Sequence, residues 1–227
     1  MFFSKEELNK ADNGMSGVKG QTCQMCGLYR KVKTPKMEPF GNFKKRILVI
    51  GEAPGEEEDT KGRHWQGKAG RALQMAFRRR GFDLFEDCLN INAINCKPAD
   101  NRKPTSQEVA CCRARVIQVI TERNPRLIIL VGGTAIQSII GHVWKKDLGG
   151  VSKWRGWQIP DRTFNAWMCP IFHPSYVEKS DSEVKTIWVE DLKQALRLWE
   201  EPVPGAQDES KQIELLDRSD DIARVIT

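Results

Sequence analysis

Two short, uninterrupted apolar segments constrain the fold of this chain more than any other feature. The segments are residues 46–50, which are apolar from Ile47 onward, and residues 127–131. Both are rich in isoleucine, leucine and valine, and glycine follows each of them. Segments of this length and composition are typical of strands that are covered on both faces, as in a parallel sheet. Parallel neighbours also need long crossover connections, and stretches with helical patterning follow both segments.

Further elements follow the same alternation. Residues 89–94 and 168–172 read as two more strands, and residues 71–80, 105–123 and 134–140 read as helices. Thr105 to Glu108 and Ser180 to Glu183 each have the spacing of a capping box, so we predict helices beginning there. Residues 141–167 are predicted to be irregular. The predicted fold is α/β: a three-layer sandwich with a central, mainly parallel four-stranded sheet flanked by helices.

Length and composition indicate a globular protein. The chain has 227 residues, of which 40% are hydrophobic and 29% charged, which excludes collagen-like and wholly disordered classes. No apolar run reaches the ~18 residues of a membrane span, and the N-terminus lacks the basic-then-apolar order of a secretory signal. Seven cysteines form an odd set, which argues against a disulfide framework. We therefore expect a cytoplasmic protein with no membrane partner.

Charge is distributed unevenly along the chain. Residues 200–227 carry a net charge of −5, whereas residues 1–199 carry +11. A basic body suggests a polyanionic partner, and nucleic acid is the first candidate. We predict one domain over residues 1–199 and an acidic linker and tail over 200–227. The residue pattern of the tail predicts a strand and the start of a helix. This is expected either of the start of a further domain or of a frayed end.

Unusual polar groups follow each predicted strand. Glu52 comes after the first strand, Asn92 lies near the end of the second, and Gly132 and His173 follow the third and fourth. Ligands of open parallel sheets bind at the carboxyl ends of the strands, so these groups are predicted to line one cleft. Taken singly, Glu52 could be a solvated loop acid, Asn92 could be a turn-forming residue, and His173 could serve only its own loop.

The cysteines suggest a metal centre. Cys23 and Cys26 have metal-ligand spacing, and Cys96 and Cys112 could supply a second pair. Cys112 shares an apolar helical face with Val109 and Val116, which predicts that it points inward, whereas Cys111 falls on a polar face. Cys96 and Cys112 could instead be buried small hydrophobic residues, the reading we adopt for Cys88 and Cys169.

A set of motifs in fixed order resembles a known family over roughly residues 20–199. The motifs are Cys23-x-x-Cys26, Gly51-Glu-Ala-Pro-Gly55, Gly62, Gly67-Lys-Ala-Gly70, Asn92, Cys96-Lys-Pro, Asn101-Arg-Lys-Pro104, Cys112, Arg155-Gly156 and His173-Pro-Ser175. The chain resembles the family 4 uracil-DNA glycosylases, the iron–sulfur branch of the uracil-DNA glycosylase superfamily. The resemblance implies hydrolysis of the N-glycosidic bond of deoxyuridine in DNA, which leaves an abasic site.

The resemblance also implies a cofactor. In that family four cysteines bind a four-iron four-sulfur cluster with a structural role, and the matching positions are Cys23, Cys26, Cys96 and Cys112. The cluster would tie the irregular N-terminal segment to the rest of the domain, because that segment is too polar to build its own core. The residues alone leave zinc open as the alternative metal.

Roles for the base-binding residues follow from the same resemblance. Trp65 lies in the stretch Gly62 to Gly67, where the family has Gly-x-Pro-Phe-Val-Gly, and would stack on an everted uracil. The alternative is a loop tryptophan that only covers the core. Asn92 would read the Watson–Crick edge of the base and exclude cytosine. Backbone amides around Gly51 and Ala53 would contact the uracil oxygens.

The remaining roles concern bond cleavage and DNA. His173 would stabilise the charge that develops at uracil O2, and Glu52 would position or activate water. Ser175 would contact a backbone phosphate, and Tyr176 and Val177 are predicted to fill the gap left by the flipped base.

A second hypothesis is a non-catalytic DNA-binding module of a replication protein, fused to or associated with a DNA polymerase. The residues His64, Trp65 and Gln66 favour it, because they replace the family's Pro, Phe and Val.

Overall fold

A computed structural model describes residues 23–143 and 148–204 of the chain. The N-terminal 22 residues and the segments 144–147 and 205–227 lie outside the described residues, and with them most of the predicted acidic tail, including its strand and helix start. The predicted division into residues 1–199 and 200–227 stays a prediction. No helix within the described ranges is both long and apolar enough to cross a membrane.

Helices and strands alternate along the chain. The helices are α1 Cys23–Cys26, α2 Glu56–Lys61, α3 Lys68–Arg78, α4 Ser106–Arg123, α5 Gly133–Val143, α6 Pro174–Glu178 and α7 Ser182–Arg197. The strands are β1 Ile47–Gly51, β2 Cys88–Asn92, β3 Leu127–Val131, β4 Ile159–Asp161 and β5 Ala166–Ile171. Single 3₁₀ turns lie at Leu28–Lys31, Ala99–Asn101 and Val151–Lys153.

The strands form one sheet in the order β2-β1-β3-β5-β4. All neighbours are parallel except β4, which runs antiparallel to β5. The chain moves from β1 to β2 on one side and then crosses back to β3 on the other, so the order reverses between β1 and β3. Such a reversal opens a crevice beyond the carboxyl ends of the two strands, where ligands bind in α/β proteins.

Successive side chains of each strand enter two different cores. Leu48, Ile50 and Ile128 pack under α4 and α5, whereas Val49 and Ile129 pack under α3 and α7. The four residues Ile47 to Ile50 are fully buried. Because both faces of the sheet are covered, the strand sequence is a continuous apolar run rather than an alternating one. The predicted three-layer α/β sandwich is confirmed.

Over residues 23–143 and 148–204 the sheet has five strands, one more than the four predicted. β4 lies inside the region that was expected to be irregular, and its three residues include Pro160 at an exposed position. Proline cannot donate to a ladder and is tolerated on an edge strand, which is where β4 lies. A strand this short gives no periodic signal, so the sequence pattern missed it.

One of the two predicted capping boxes is present. Thr105 forms the predicted capping box, since its hydroxyl accepts from the Glu108 amide at 3.2 Å and Glu108 Oε2 accepts from the Thr105 amide at 2.8 Å. The box predicted at Ser180 is wrong. Asp181 is the N-cap of α7 and accepts from the Val184 amide at 2.9 Å, whereas the Ser180 hydroxyl donates backwards to the Tyr176 carbonyl oxygen at 2.9 Å.

A buried ion pair fastens the segment before β4 to α7. The Arg155 guanidinium pairs with both carboxylate oxygens of Asp191, with Nε donating to Oδ2 at 2.6 Å. Asp191 is buried, and Gly156 turns the chain beside it at φ 76°. A Cβ at Gly156 would lie 2.8 Å from Asp191 Oδ1, which explains why glycine follows the arginine.

We expect Arg155→Met to lower the free energy of unfolding by about 2–3 kcal/mol, because it leaves a buried carboxylate without its partner. Urea denaturation measures this difference. The matched control is Lys193→Met, which removes an exposed pair with Glu190 on the same helix and should change stability by less than about 0.5 kcal/mol. Equal losses of stability in the two variants would show that the burial of Asp191 does not increase the contribution of its ion pair to the free energy of unfolding.

Candidate active site

A cavity of about 370 Å³ opens at the carboxyl edge of the sheet, beside the reversal of strand order. Glu52, Trp65, Asn92 and His173 all line it, together with Ala53. The first three come from the β1 end, the loop between α2 and α3, and the β2 end, and His173 follows β5. The topology therefore brings together four side chains that are spread over more than half of the chain.

Glu52 is held across the reversal point. Thr134, which follows β3, donates its hydroxyl proton to Glu52 Oε2 at 2.6 Å. Thr134 is buried. Within the described residues no hydrogen bond to the second carboxylate oxygen is found, so Oε1 can accept a proton or a hydrogen bond from a ligand.

His173 has one defined tautomer. Its Nδ1 lies 3.3 Å from the Ser175 backbone nitrogen and 2.7 Å from the Ser175 hydroxyl. A backbone N–H can only donate, so Nδ1 is the acceptor and the neutral ring carries its proton on Nε2. Burial lowers the pKa of His173, and the charges of Glu52 and Glu58 oppose that shift. The ring is thus a neutral donor through Nε2–H.

Asn92 is positioned by a second histidine. Its Nδ2 lies 3.0 Å from Nδ1 of His64, and the other ring nitrogen of His64 lies 3.0 Å from the Glu38 carbonyl oxygen. The Asn92 backbone amide also donates to Asn95 Oδ1 at 3.2 Å. Both side chains are buried, so these contacts are shielded from competing water.

Trp65 closes over the end of β1 because two glycines leave room for it. A Cβ at Gly51 would lie 2.3 Å from Asn92 Oδ1 and 2.8 Å from Trp65 Cζ2, and one at Gly70 would lie 2.1 Å from the Trp65 carbonyl oxygen. Trp65 itself adopts a left-handed backbone at φ 60°. Its indole is centred 5.9 Å from the His173 ring, with 32° between the planes.

The loop that carries Trp65 is braced by Glu58. Its two carboxylate oxygens accept from the Gly67 amide at 2.7 Å and from the Gly55 amide at 3.1 Å. One side chain therefore joins the residue before α2 to the end of the loop that forms one wall of the cavity. The glycine motifs noted in the sequence, Gly55 and Gly67, are the two attachment points.

Three predicted residues are placed differently from the others. Gly51 lies beneath Trp65 and Asn92 and does not line the cavity. Tyr176 is exposed beside the cavity, with its ring centred 5.0 Å from that of Phe172. The prediction that Val177 fills a gap in DNA is wrong, because Val177 is buried in the core under α3 and α7.

Sequence reasoning missed Thr134, Lys68 and Arg102, which lie in or beside the cavity. Lys68 is exposed and pairs with Glu178 at 3.5 Å, and Arg102 pairs with Glu108. The only sequence signal for Thr134 was its place directly after the glycines that end β3. Lys68 and Arg102 lie inside the motifs Gly67-Lys-Ala-Gly70 and Asn101-Arg-Lys-Pro104, but a lysine or arginine in such a motif does not by itself indicate a cavity.

A second cavity, of about 300 Å³, lies between α1, α4 and the loop after β2. Cys23, Cys26, Cys96 and Cys112 line it. Cys111 lines it too and is buried, so the prediction that Cys111 lies on a polar face is wrong. The reason is that α1 packs against α4 and the Cys26 backbone amide reaches the Cys111 thiol, so Cys111 is covered although Arg115 and Gln118 on the same face stay exposed.

Backbone amides surround the sulfur atoms. The Lys36 amide donates to Cys96 Sγ at 3.2 Å, and the amides of Leu28 and Asn95 interact with the Cys26 and Cys112 thiols. Burial raises the pKa of Cys112 to about 12, and the Asn95 amide opposes that rise. Amide donors of this kind stabilise thiolates, and hydrogen bonds to sulfur are typical of iron–sulfur ligands. Among the described residues no group of three or more cysteine, histidine or acidic side chains is placed to hold a single metal ion.

Comparison with known proteins agrees with this architecture. The family model of the Uracil DNA glycosylase superfamily matches residues 38–196, which include every strand of the sheet and all four side chains named for the first cavity. The fold and the cavity therefore define a member of that superfamily.

Similar proteins narrow the class. A type-4 uracil-DNA glycosylase of Thermotoga maritima is 36% identical over 174 residues, which cover 76% of this chain and 87% of the relative. One from Archaeoglobus fulgidus is 30% identical over 73% of this chain and 86% of the relative. A DNA polymerase of Bacillus phage SP01 is 26% identical over 74% of this chain but only 17% of its own length. The chain belongs to the type-4 uracil-DNA glycosylase family.

Proposed function

We propose that this chain is a uracil-DNA glycosylase, a hydrolase that cleaves the N-glycosidic bond of deoxyuridine in DNA and leaves an abasic site for base excision repair. The observation that carries the proposal is the convergence of an indole, a carboxamide, an imidazole and a carboxylate on one cavity. A base inside a duplex cannot reach such a cavity, so the nucleotide must be everted, at a cost of about a few kcal/mol.

Trp65 and Asn92 would recognise the everted base. Stacking on the indole recovers about 1–3 kcal/mol of the cost of eversion. Asn92 Nδ2 donates to uracil O4 and Oδ1 accepts from N3–H, a pattern that the amino group and N3 of cytosine do not match. Backbone amides near Ala53, at the cavity wall, would complete the contacts to the base oxygens.

His173 and Glu52 would act on the bond that breaks. As the C1′–N1 bond cleaves, its electron pair goes to the uracil ring, and charge builds on O2. The Nε2–H of His173 stabilises that charge, a preorganised electrostatic contribution of the kind found in oxyanion holes. Water adds to C1′ and gives its proton to Glu52 Oε1, while Thr134 holds Oε2.

DNA contacts would surround the cavity mouth. Lys68 and Arg102 are cationic side chains on its rim, suited to backbone phosphates, and Ser175 lies beside them. Tyr176 is exposed next to His173, where an aromatic side chain can enter the space vacated by the base. The net charge of +11 on residues 1–199 supports binding to a polyanion.

Cys23, Cys26, Cys96 and Cys112 would hold a four-iron four-sulfur cluster. Zinc remains the weaker alternative, because it needs ligands that converge on a point about 2.3 Å from each sulfur, whereas these sulfurs surround a cavity of about 300 Å³. When bound, the cluster would supply a covalent cross-link between α1 and α4. All seven cysteines are unpaired, which supports a cytoplasmic site of action, where thiols stay reduced.

The match to part of a phage DNA polymerase supports a second candidate, a non-catalytic DNA-binding module in a replication assembly. The glycosylase and the module share the fold, the basic body and the cysteine cavity. They differ in whether uracil leaves the DNA. Salt-dependent DNA binding without base release would select the module.

The test is single-turnover release of uracil from a labelled oligonucleotide by the full chain. We expect wild-type activity and a loss of about tenfold to one hundredfold in Asn92→Ala, because the base loses its directional contacts. Asn165→Ala, a replacement of the same type at a turn remote from the cavity, is the matched control and should be unchanged. Undiminished release by both Asn92→Ala and His173→Ala would remove the proposed site.

A further inference from the structure

His64 is a fully buried histidine with a partner on each ring nitrogen. Nε2 lies 3.0 Å from the Glu38 carbonyl oxygen, and Nδ1 lies 3.0 Å from Asn92 Nδ2. Its exposed fraction is 0%. Burial lowers the pKa of His64 to about 4, against the opposing effect of the Glu38 carbonyl, so the ring is neutral at physiological pH.

These contacts determine where the ring proton lies. A carbonyl oxygen only accepts hydrogen bonds, so the nitrogen facing Glu38 must carry the proton. A neutral imidazole has one such proton, which leaves a lone pair on Nδ1. The Asn92 atom that faces Nδ1 must therefore be the amide nitrogen, because the amide oxygen would set two lone pairs against each other. The orientation of the Asn92 carboxamide follows from the chemistry of its neighbour.

We propose that His64 is a positioning residue that holds the Asn92 carboxamide in the one orientation that accepts uracil and rejects cytosine. The inference rests on the proposed function and adds a specificity determinant to it. One Nδ2 proton is committed to His64, and the second Nδ2 proton and Oδ1 remain for O4 and N3–H of the base.

The physical reason is that an asparagine side chain can rotate by half a turn about its last bond. The rotated carboxamide presents oxygen where nitrogen was, which is the pattern that matches the amino group and N3 of cytosine. In this chain rotation would break the bond to His64 and leave a buried lone pair unpaired. At this position the stretch that the chain resembles has proline, which has no ring nitrogen that could accept such a bond.

Three substitutions separate the acceptor role of His64 from its packing. His64→Asn keeps an acceptor where Nδ1 lies and loses the donor to Glu38. His64→Gln keeps a donor toward Glu38 and loses the acceptor, and His64→Leu loses both. Thermal denaturation of each variant, with its cluster loaded, records any general loss of stability.

Release of uracil, and of an unpaired cytosine at the same position, is then measured under single-turnover conditions. We expect His64→Gln and His64→Leu to lose about tenfold to one hundredfold in uracil release and to lower the ratio of uracil to cytosine release. His64→Asn should stay within about threefold of wild type in both quantities. Equal behaviour of the three variants, or losses that follow only their melting temperatures, would overturn the proposal.

Nitrogen-15 NMR of the histidine rings gives a readout that needs no activity. We expect the wild-type His64 ring to show a protonated Nε2 and an unprotonated Nδ1, and the Nδ1 shift to move on Asn92→Ala. A proton on Nδ1, or a ring insensitive to Asn92, contradicts the proposal even if uracil is released. If wild type releases no uracil, the proposed function fails, and the ring spectrum still decides whether His64 orients Asn92.

Discussion

Replacing His173 with alanine should slow the release of uracil from DNA by about a hundredfold to a thousandfold, with little change in DNA affinity. The neutral ring has Nδ1 occupied by Ser175 and Nε2–H free for the base. Loss of one preorganised donor to a developing oxyanion costs rates of this size in other enzymes. Single-turnover release with enzyme in excess, together with a binding titration on the same oligonucleotide, measures both quantities.

Ser175→Ala is the matched control for this prediction. It removes the hydroxyl 2.7 Å from Nδ1 but leaves the backbone amide that also donates there. We therefore expect a loss of about tenfold or less. Equal losses of uracil release in the two variants would mean that the His173 ring only stabilises its own loop. This is the alternative interpretation of His173 given in the sequence analysis.

Replacing Cys112 with serine should remove the iron and the visible absorbance of the proposed cluster, whereas replacing its neighbour Cys111 with serine should leave both. The two residues adjoin each other on α4, and both are buried at the same cavity, so they form a closely matched pair. Of the two, Cys112 is the residue that the resemblance to the family matches to a cluster ligand. Iron analysis, sulfide analysis and absorbance of the purified proteins measure the outcome.

Loss of the cluster should also destabilise the N-terminal part of the domain. Residues 23–37 bury little apolar surface beyond Met37. Their attachment therefore relies on polar contacts, such as Asp59 accepting from the Lys33 and Thr34 amides and the Met37 amide donating to the Asn95 carbonyl oxygen, and on the cysteines. Metal binding and folding are coupled in segments of this kind. We expect Cys112→Ser to become sensitive to proteolysis near α1. Loss of iron in Cys111→Ser but not in Cys112→Ser would reverse the ligand assignment.

The chemistry of the candidate site was largely readable from the sequence because its residues sit at element boundaries. Glu52 and His173 each follow a strand and Asn92 is the last residue of one, and parallel strands place their carboxyl ends on one edge. The buried strands could also be predicted from the sequence. A sheet covered on both faces needs apolar side chains at successive strand positions, as Ile47 and Ile129 illustrate.

Other features depended on contacts between segments that are distant along the chain. Thr134 and Glu52 are 82 positions apart, and only the reversal of strand order between β1 and β3 brings them within 2.6 Å. Cys111 is buried because α1 packs against α4, which no helical pattern within α4 can indicate. His64 stands in a loop without periodicity, and its link to Asn92 exists only because that loop folds back over the end of β2.

The sequence by itself determined the layers, the strand edge that carries the site and the residue types available there, because these follow from local apolar patterning and from where each strand stops. The tertiary structure decided which of those residues touch and which atom of each faces the cavity. Hydrogen-bond orientation depends on the partner across the fold, as the two ring nitrogens of His64 demonstrate with Glu38 and Asn92, and local sequence does not show a partner of that kind.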